Sequence, residues 1–479
     1  MIVSTSRKSE RLSLHGLWSS RTAFVLAATG SAVGLGNIWR FPYVAGENGG
    51  GIFVLLYVAC IFLIGIPIMM TELMLGRRGR RNPLDTMRLI AVEERHSPHW
   101  VWIGRTAMLA GLLILSYYSV IAGWIMAYIF RTAGGVFHGM QDATEFEAIF
   151  SALIVDPERL IAWHSIFMVL TVAIVAHGIE RGLERAVKII MPALCFILLL
   201  LLLYAATTPG FIAGLKFMFS PDISKLNSTS VLFAMGMAFF SLSLGTGAIM
   251  MYGSYLPKGG SIGGMAVAVA LADTLIALLA GVAIFSIVFA NGLEPTAGPG
   301  LVFITLPVAF AKMPMGTLIG VLFFILLLFT ALASAIALLE PWVAWLVENK
   351  NQGRIQAACI CGLVVWILGL GTVFSFNLWA DYKWTFPVDL GRVRYVLFED
   401  KTFFNVVDFL TSNILLPLGG LLTALFTGHL MRRQSCQDEL QIGSKTFNLW
   451  YFVLRNISPI AVGIVFLHAV GVFKWVGIG

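Results

Sequence analysis

Two stretches of this chain crowd glycines and hydroxyls into the middle of otherwise apolar runs. They are Gly30-Ser31-Ala32-Val33-Gly34-Leu35-Gly36-Asn37 and Ser241-Leu242-Ser243-Leu244-Gly245-Thr246-Gly247. Neither holds a nucleophile beside a base, so their chemistry is not bond breaking. Such composition favours unwinding, and a broken helix presents unpaired N–H groups at one end and unpaired carbonyls at the other. Those ends suit an anionic group and a cation held close together. Packing motifs space small residues by four, whereas here they are nearly contiguous. At membrane depth, unwound backbone is tolerated only around a protein-lined cavity. Two carboxylates, Glu72 and Asp273, also lie inside apolar runs, where a charge is costly and rarely lacks a partner. The five cysteines form no ligand-spaced cluster, which points to neither a disulfide framework nor a zinc site.

The elements that must position these groups are membrane spans. The 479 residues are 58% apolar and only 12% charged, with a mean hydropathy of +0.87. A soluble chain carries about 25% charged residues, so a soluble enzyme, a nucleic-acid binder and a disordered chain are all excluded. The +7 net charge sits between apolar runs rather than in a binding patch. Apolar segments fall near 22–45, 51–76, 102–130, 161–177, 187–207, 229–255, 262–290, 315–347, 355–376, 404–430 and 450–471. They are too long, and lack the alternation, for a barrel wall. Lys and Arg concentrate in alternate loops, which places the N-terminus in the cytoplasm and, with eleven spans, the C-terminus outside. Residues 1–21 read as a polar, basic cytoplasmic segment, and the apolar run after them is too long for a cleavable signal. The two glycine-rich spans are the first and the sixth. Residues 22–207 and 229–430 then read as corresponding five-helix halves, with 450–471 an extra helix. Paired interrupted spans point to an inverted-repeat transporter with a site at mid-membrane.

The first glycine-rich run continues into Ile38-Trp39-Arg40-Phe41-Pro42 and is followed by Glu47-Asn48-Gly49-Gly50-Gly51. Together these resemble the signature of the neurotransmitter:sodium symporter family. Gly65-Ile66-Pro67-Ile68-Met69-Met70-Thr71-Glu72, Tyr117-Tyr118 and Phe239-Phe240-Ser241-Leu242-Ser243-Leu244-Gly245 match as well. The resemblance runs from about residue 16 to residue 430. It implies an all-α membrane protein of about eleven helices in two inverted five-helix repeats, with helices 1 and 6 broken at mid-membrane. It further implies sodium-coupled import of neutral, hydrophobic L-amino acids by alternating access across a bacterial inner membrane.

By the same resemblance, the substrate carboxylate meets the backbone of Leu35 and Gly36 and the hydroxyl of Tyr118. Its ammonium meets carbonyls of Ala32, Phe240 and Ser241, with the Ser243 hydroxyl, and Ile114, Phe240, Ser243, Thr246 and Leu338 line the side-chain pocket. Monoamine carriers of the family place an aspartate where Gly34 stands, so here the carboxylate belongs to the substrate. A leucine-carrying bacterial member has phenylalanine at the position of Thr246, and the threonine leaves room for a larger side chain. One or two sodium ions are implied, and no organic cofactor. The first ion maps to Ala32, Asn37, Ser241 and Asp273, where Asp273 replaces an asparagine and supplies the negative charge that animal members take from chloride. The second maps to Gly30, Val33, Thr330, Ala333 and Ser334, where Ala333 lacks the usual hydroxyl. Arg40 and Asp408 correspond to the outer gate, and Trp18 and Glu348 to the inner one, with His15 in place of an arginine. Glu72 is expected to accept hydrogen bonds from the unwound backbone of both broken spans.

The alternatives are a sodium- or proton-coupled carrier of another small zwitterion, an ion channel, or a membrane-embedded enzyme. The last requires a nucleophile–base pair or metal cluster at mid-span, and the sequence offers none. The expected partners are a small amino acid and the lipid bilayer, without nucleic acid. Oligomeric state is not legible.

Overall fold

The computed structural model describes residues 13–140, 142–257, 259–294, 300–389 and 394–475. Among these, nine helices are long and apolar enough to cross a membrane: Gly51–Gly79, Pro98–Ala133, Pro157–Ala176, Ile179–Ala206, Ile262–Ala290, Gly316–Lys350, Arg354–Ser375, Phe403–Leu430 and Ser444–Ala469. A tenth is the bent pair Arg21–Ala32 and Gly36–Glu47, kinked by 52°. The eleventh apolar segment is split into Ser228–Ser241 and Ala248–Ser254. In chain order these are spans 1 to 11, and the two broken ones are spans 1 and 6.

Local chemistry explains where several spans begin. The Ser20 hydroxyl accepts from Ala23 N–H at the start of span 1, and Asn227 accepts from Ser230 N–H at the start of span 6. Each satisfies a backbone donor that the first helical turn leaves unpaired. Span 3 lies along span 8, and the first half of span 1 is enclosed by spans 5, 7 and 8. Span 2 and the second half of span 6 press backbone against backbone. A Cβ at Gly76 would stand only 1.9 Å from the Met250 carbonyl oxygen, so only glycine permits this approach. The broken spans are thus buried among other helices, where unwound backbone can find partners.

Several elements are not evident from hydropathy. Helices Pro83–Glu93, Ala143–Ile154, Phe211–Phe219 and Leu301–Lys312 occupy segments read above as connections. The segment 377–403, between spans 9 and 10, holds an antiparallel hairpin, Trp384–Asp389 with Arg394–Lys401, so among the described residues the fold is all-α apart from this pair. Its alternation is brief and interrupted by Pro387, which hides the strand signal.

At the end opposite the hairpin, Glu94 joins the connection after span 2 to the one after span 10, pairing with Arg78 at 2.6 Å and Arg432 at 2.9 Å. Burial alone would raise its carboxyl above the usual range. Hydrogen bonds from the Arg432 backbone, the Arg432 guanidinium and Arg78 more than reverse this and hold it at about 2.

Candidate substrate and ion site

Both breaks are held open by named contacts. Span 1 leaves the helix at Val33, whose ψ of 92° is extended, and resumes at Gly36. Span 6 leaves it after Ser241 and turns through three left-handed residues, Ser243 (φ 53°), Gly245 (φ 73°) and Gly247 (φ 78°). The glycines adopt this conformation freely, whereas a serine there costs about 1–2 kcal/mol. Ser243 is compensated because its hydroxyl donates to the Ser31 carbonyl at 2.8 Å, which ties the two breaks together. Gly245 N–H donates to a Glu72 carboxylate oxygen at 2.8 Å. Glu72 therefore supports span 6 as expected, but its second oxygen has no hydrogen-bond partner among the described residues, so the expected bond to span 1 is not made.

Between the breaks lies one cavity. Of the ten expected substrate residues it is lined by nine, namely Ala32, Leu35, Gly36, Ile114, Tyr118, Phe240, Ser243, Thr246 and Leu338. Ser241 lies outside it. Gly34, Ser334 and Leu416 complete the wall. Leu416 had no signal of its own, being one leucine in an apolar run. Tyr118 accepts Leu35 N–H at 3.1 Å, and the Thr246 hydroxyl donates to the Ser243 carbonyl at 2.7 Å. The cavity is narrow in this conformation, about 30 Å³, so a bulky side chain requires its walls to separate. A second cavity of about 310 Å³, lined by Tyr117, Trp124, Phe303 and Asp408, adjoins it and shares Leu35, Gly36, Tyr118 and Phe240 with it. The Arg40 guanidinium caps the Phe240 ring at 4.7 Å. It donates to the Ser412 hydroxyl at 3.4 Å, and that hydroxyl donates to Asp408 at 3.1 Å. The expected outer pair is therefore joined through Ser412, a link absent from the reading of the sequence.

Three of the four residues expected around the first ion are close together. Asn37 Nδ2 donates to Asp273 Oδ1 at 2.8 Å, and Tyr57 donates its hydroxyl proton to Ser241 Oγ at 2.9 Å. Asp273 is fully buried, and its Oδ2 has no partner among the described residues. A lone buried carboxylate oxygen beside amide and hydroxyl oxygens suits a hard monovalent cation. Tyr57 was not anticipated, although a tyrosine inside an apolar span needs a partner for its hydroxyl. For the second ion, Ser334 Oγ lies 3.4, 3.2 and 3.4 Å from the carbonyl oxygens of Gly30, Ser31 and Val33. Ala333 faces Gly30. The Thr330 hydroxyl is spent within its own helix, on the Leu327 carbonyl at 2.7 Å.

At the other end of span 6, Trp18 is buried and donates from Nε1 to the Tyr252 carbonyl at 3.1 Å. His15 Nε2 meets Glu348 Oε1 at 2.9 Å, and Glu348 also accepts the Asn82 side-chain amide at 2.8 Å. Beside them Glu340, fully buried, accepts two bonds from Arg354 and one from the Tyr255 hydroxyl. Glu340, Arg354 and Tyr255 were not singled out in the sequence, because each is ordinary until the chain brings them together.

A family model described as the sodium:neurotransmitter symporter family matches residues 15–137 and 155–385. The chain belongs to that family. Within it, the chain is 38% identical over 462 residues to a Bacillus subtilis protein named an uncharacterized sodium-dependent transporter, YhdH, covering 96% of this chain and 98% of the relative. A bovine sodium- and chloride-dependent taurine transporter is 29% identical, covering 76% and 67%. The solved structure of MhsT in complex with L-phenylalanine is 42% identical, with a TM-score of 0.83, covering 95% and 99%. Family membership makes this protein a multi-pass, sodium-dependent membrane transporter of a small molecule rather than an enzyme.

Proposed function

We propose that the protein imports neutral, hydrophobic L-amino acids together with sodium across a bacterial inner membrane, with its N-terminus in the cytoplasm and its C-terminus outside. The observation that carries this reading is Gly34. A Cβ there would stand 2.8 Å from Ser334 Oγ and 3.2 Å from the Tyr118 hydroxyl, so the site has no room for a carboxylate of its own beside Tyr118. The substrate supplies it. The similarity to a transporter solved with L-phenylalanine supports the same substrate class.

In this reading Leu35 N–H and Tyr118 turn from each other to the substrate carboxylate, which completes the oxygen cage of Ala32, Asn37, Ser241 and Asp273 around the first sodium ion. Coupling follows because substrate and ion share that carboxylate, so each strengthens the binding of the other. A second ion between Gly30, Val33, Thr330, Ala333 and Ser334 would have only one side-chain hydroxyl, that of Ser334, not already spent within its own helix. The Arg40–Ser412–Asp408 link closes the site on one side, and Trp18, His15 and Glu348 close it on the other. Alternating access consists of releasing one closure at a time.

The test is competition for sodium-dependent binding of labelled phenylalanine by purified protein. Phenethylamine and tryptamine, which lack the carboxylate, are expected to compete at least a hundredfold more weakly than phenylalanine and tryptophan. Equal competition would overturn the reading. Tyr118→Phe is expected to weaken phenylalanine binding by about 1–3 kcal/mol, the loss for a charge-assisted hydrogen bond in a dry site.

Thr246 faces the substrate cavity, so Thr246→Phe is expected to shift preference toward alanine and leucine. Overfilling a packed site costs about 1–3 kcal/mol for a large ligand. Identical competition profiles for wild type and variant would place the substrate side chain elsewhere.

A further inference from the structure

Span 3 is enclosed for most of its length, and every residue from Ile114 to Tyr128 is buried. Its first turns are not. Trp102, Arg105 and Leu109 are exposed, at the i, i+3, i+7 spacing that sets them on one helix face. Leu112 continues that face, half-buried. The exposed strip stops where the buried run begins, so it is a short patch rather than one side of a lipid-facing helix. Length fixes its depth. The helix has 36 residues, about 54 Å at 1.5 Å per residue, against a hydrocarbon core of about 30 Å. Centred on that core, it leaves about eight residues at each end among the headgroups. Arg105 then lies at headgroup level, with Leu109 and Leu112 in the acyl region. This end is that of the inner closure, since Asn82 on the preceding connection donates to Glu348.

Arg105 is a cation without an anion. Its guanidinium lies over the Trp102 ring, 4.8 Å from the centroid, and it makes no hydrogen bond or ion pair among the described residues. At the opposite end of the same helix Arg131 donates to the Ile149 carbonyl at 3.0 Å, so a helix end does not by itself leave an arginine unpartnered. The carboxylates on the connection before span 3 are all taken. Asp85 pairs with Arg88, Glu93 with Arg78, and Glu94 with Arg78 and Arg432. Arg81 and Arg95 on that connection make no ion pair among the described residues, so this end carries excess positive charge. A guanidinium resting over an indole keeps its N–H groups free, and a phosphate accepts two of them in parallel.

We propose that Arg105, held over Trp102, binds the phosphate of an anionic phospholipid, with one acyl chain along Leu109 and Leu112. Under the topology proposed above, that lipid belongs to the cytoplasmic leaflet. Charge complementarity selects this occupant. A zwitterionic phospholipid brings a second cation to an end already rich in arginine. A second copy docked here by two-fold symmetry sets the unpaired arginine against itself. Bound there, the lipid fixes the depth of span 3, the helix that carries Tyr118.

The experiment uses the full-length protein in nanodiscs of phosphatidylcholine doped with phosphatidylglycerol whose acyl chain carries a diazirine, irradiated and mapped by peptide mass spectrometry. Label is expected within residues 102–113, at least fivefold above that from phosphatidylcholine carrying the same chain. Arg105→Gln is expected to lower the phosphatidylglycerol label about fivefold, the factor for one arginine at an anionic headgroup. Arg105→Glu is expected to lower it further. Both variants are checked for monodispersity and for the wild-type unfolding temperature. Potassium chloride at about 1 M, applied to the wild type so that no variant need fold, is expected to erase most of the preference by screening. Four results overturn the proposal: equal label from the two lipids, label unchanged in both variants, a preference that survives the salt, or an unlabelled patch, as when a second copy covers it. Because both leaflets of the nanodisc hold the same lipid, none of these readouts depends on the topology or on which substrate is carried.

Discussion

Asp273→Asn is expected to raise the sodium concentration for half-maximal phenylalanine binding at least tenfold, equivalent to about 1.4 kcal/mol or more, and to make that binding respond to chloride. The substitution keeps the side chain's volume and an oxygen to accept from Asn37, which donates to Asp273 at 2.8 Å. What it removes is the charge. Asp273 is fully buried, with one oxygen lacking a hydrogen-bond partner among the described residues. At that depth the attraction between a carboxylate and a cation is much stronger than in water. Without it the cation meets only neutral oxygens from the protein, and Tyr57 and Ser241 remain as hydroxyls able to donate to an anion nearby. The wild type, holding a fixed charge, is expected to bind equally well in chloride and in gluconate. The measurement is a sodium titration of labelled-phenylalanine binding by both proteins in both salts. An unchanged sodium midpoint in the variant, or chloride dependence in the wild type, removes Asp273 from the ion site.

Glu340→Ala is expected to destabilise the protein by about 3–5 kcal/mol, the range for a buried ion pair that loses one partner. Glu340 is fully buried and binds Arg354 through both oxygens, and the Tyr255 hydroxyl also donates to it. Removing it leaves a mostly buried guanidinium without its carboxylate, its Nε still donating to the Val175 carbonyl, and frees the end of span 6 on which Trp18 closes. Thermal unfolding in detergent is therefore expected at lower temperature, with a thiol placed at the inner mouth becoming more reactive. The double variant Glu340→Leu, Arg354→Leu is expected to recover much of the stability, because it buries no unpaired charge, but to retain the increased thiol reactivity. If Glu340→Ala unfolds at the wild-type temperature, the pair does not hold the inner closure.

Much of this architecture was legible without coordinates because its signals are local. A span is a run of apolar residues long enough to cross a bilayer, and a break is a cluster of glycines and hydroxyls within one. Both depend on neighbours in sequence alone. The cavity residues followed from the same two breaks once the family motifs placed Ile114, Tyr118 and Leu338 opposite them. The hairpin at 384–401 was missed because its strands are short and interrupted by Pro387.

The remaining features depend on pairings between distant residues. Arg40 meets Ser412 across 372 positions of chain, and Tyr57 reaches Ser241 across 184. Glu340 and Arg354 are near in sequence, but Tyr255 joins them only because span 6 ends beside span 8. Apolar length and glycine content determined by themselves that this chain enters a membrane and breaks two of its helices. Which polar groups face one another there was decided by tertiary packing, because a buried polar atom must take its partner from whichever helix the fold sets against it.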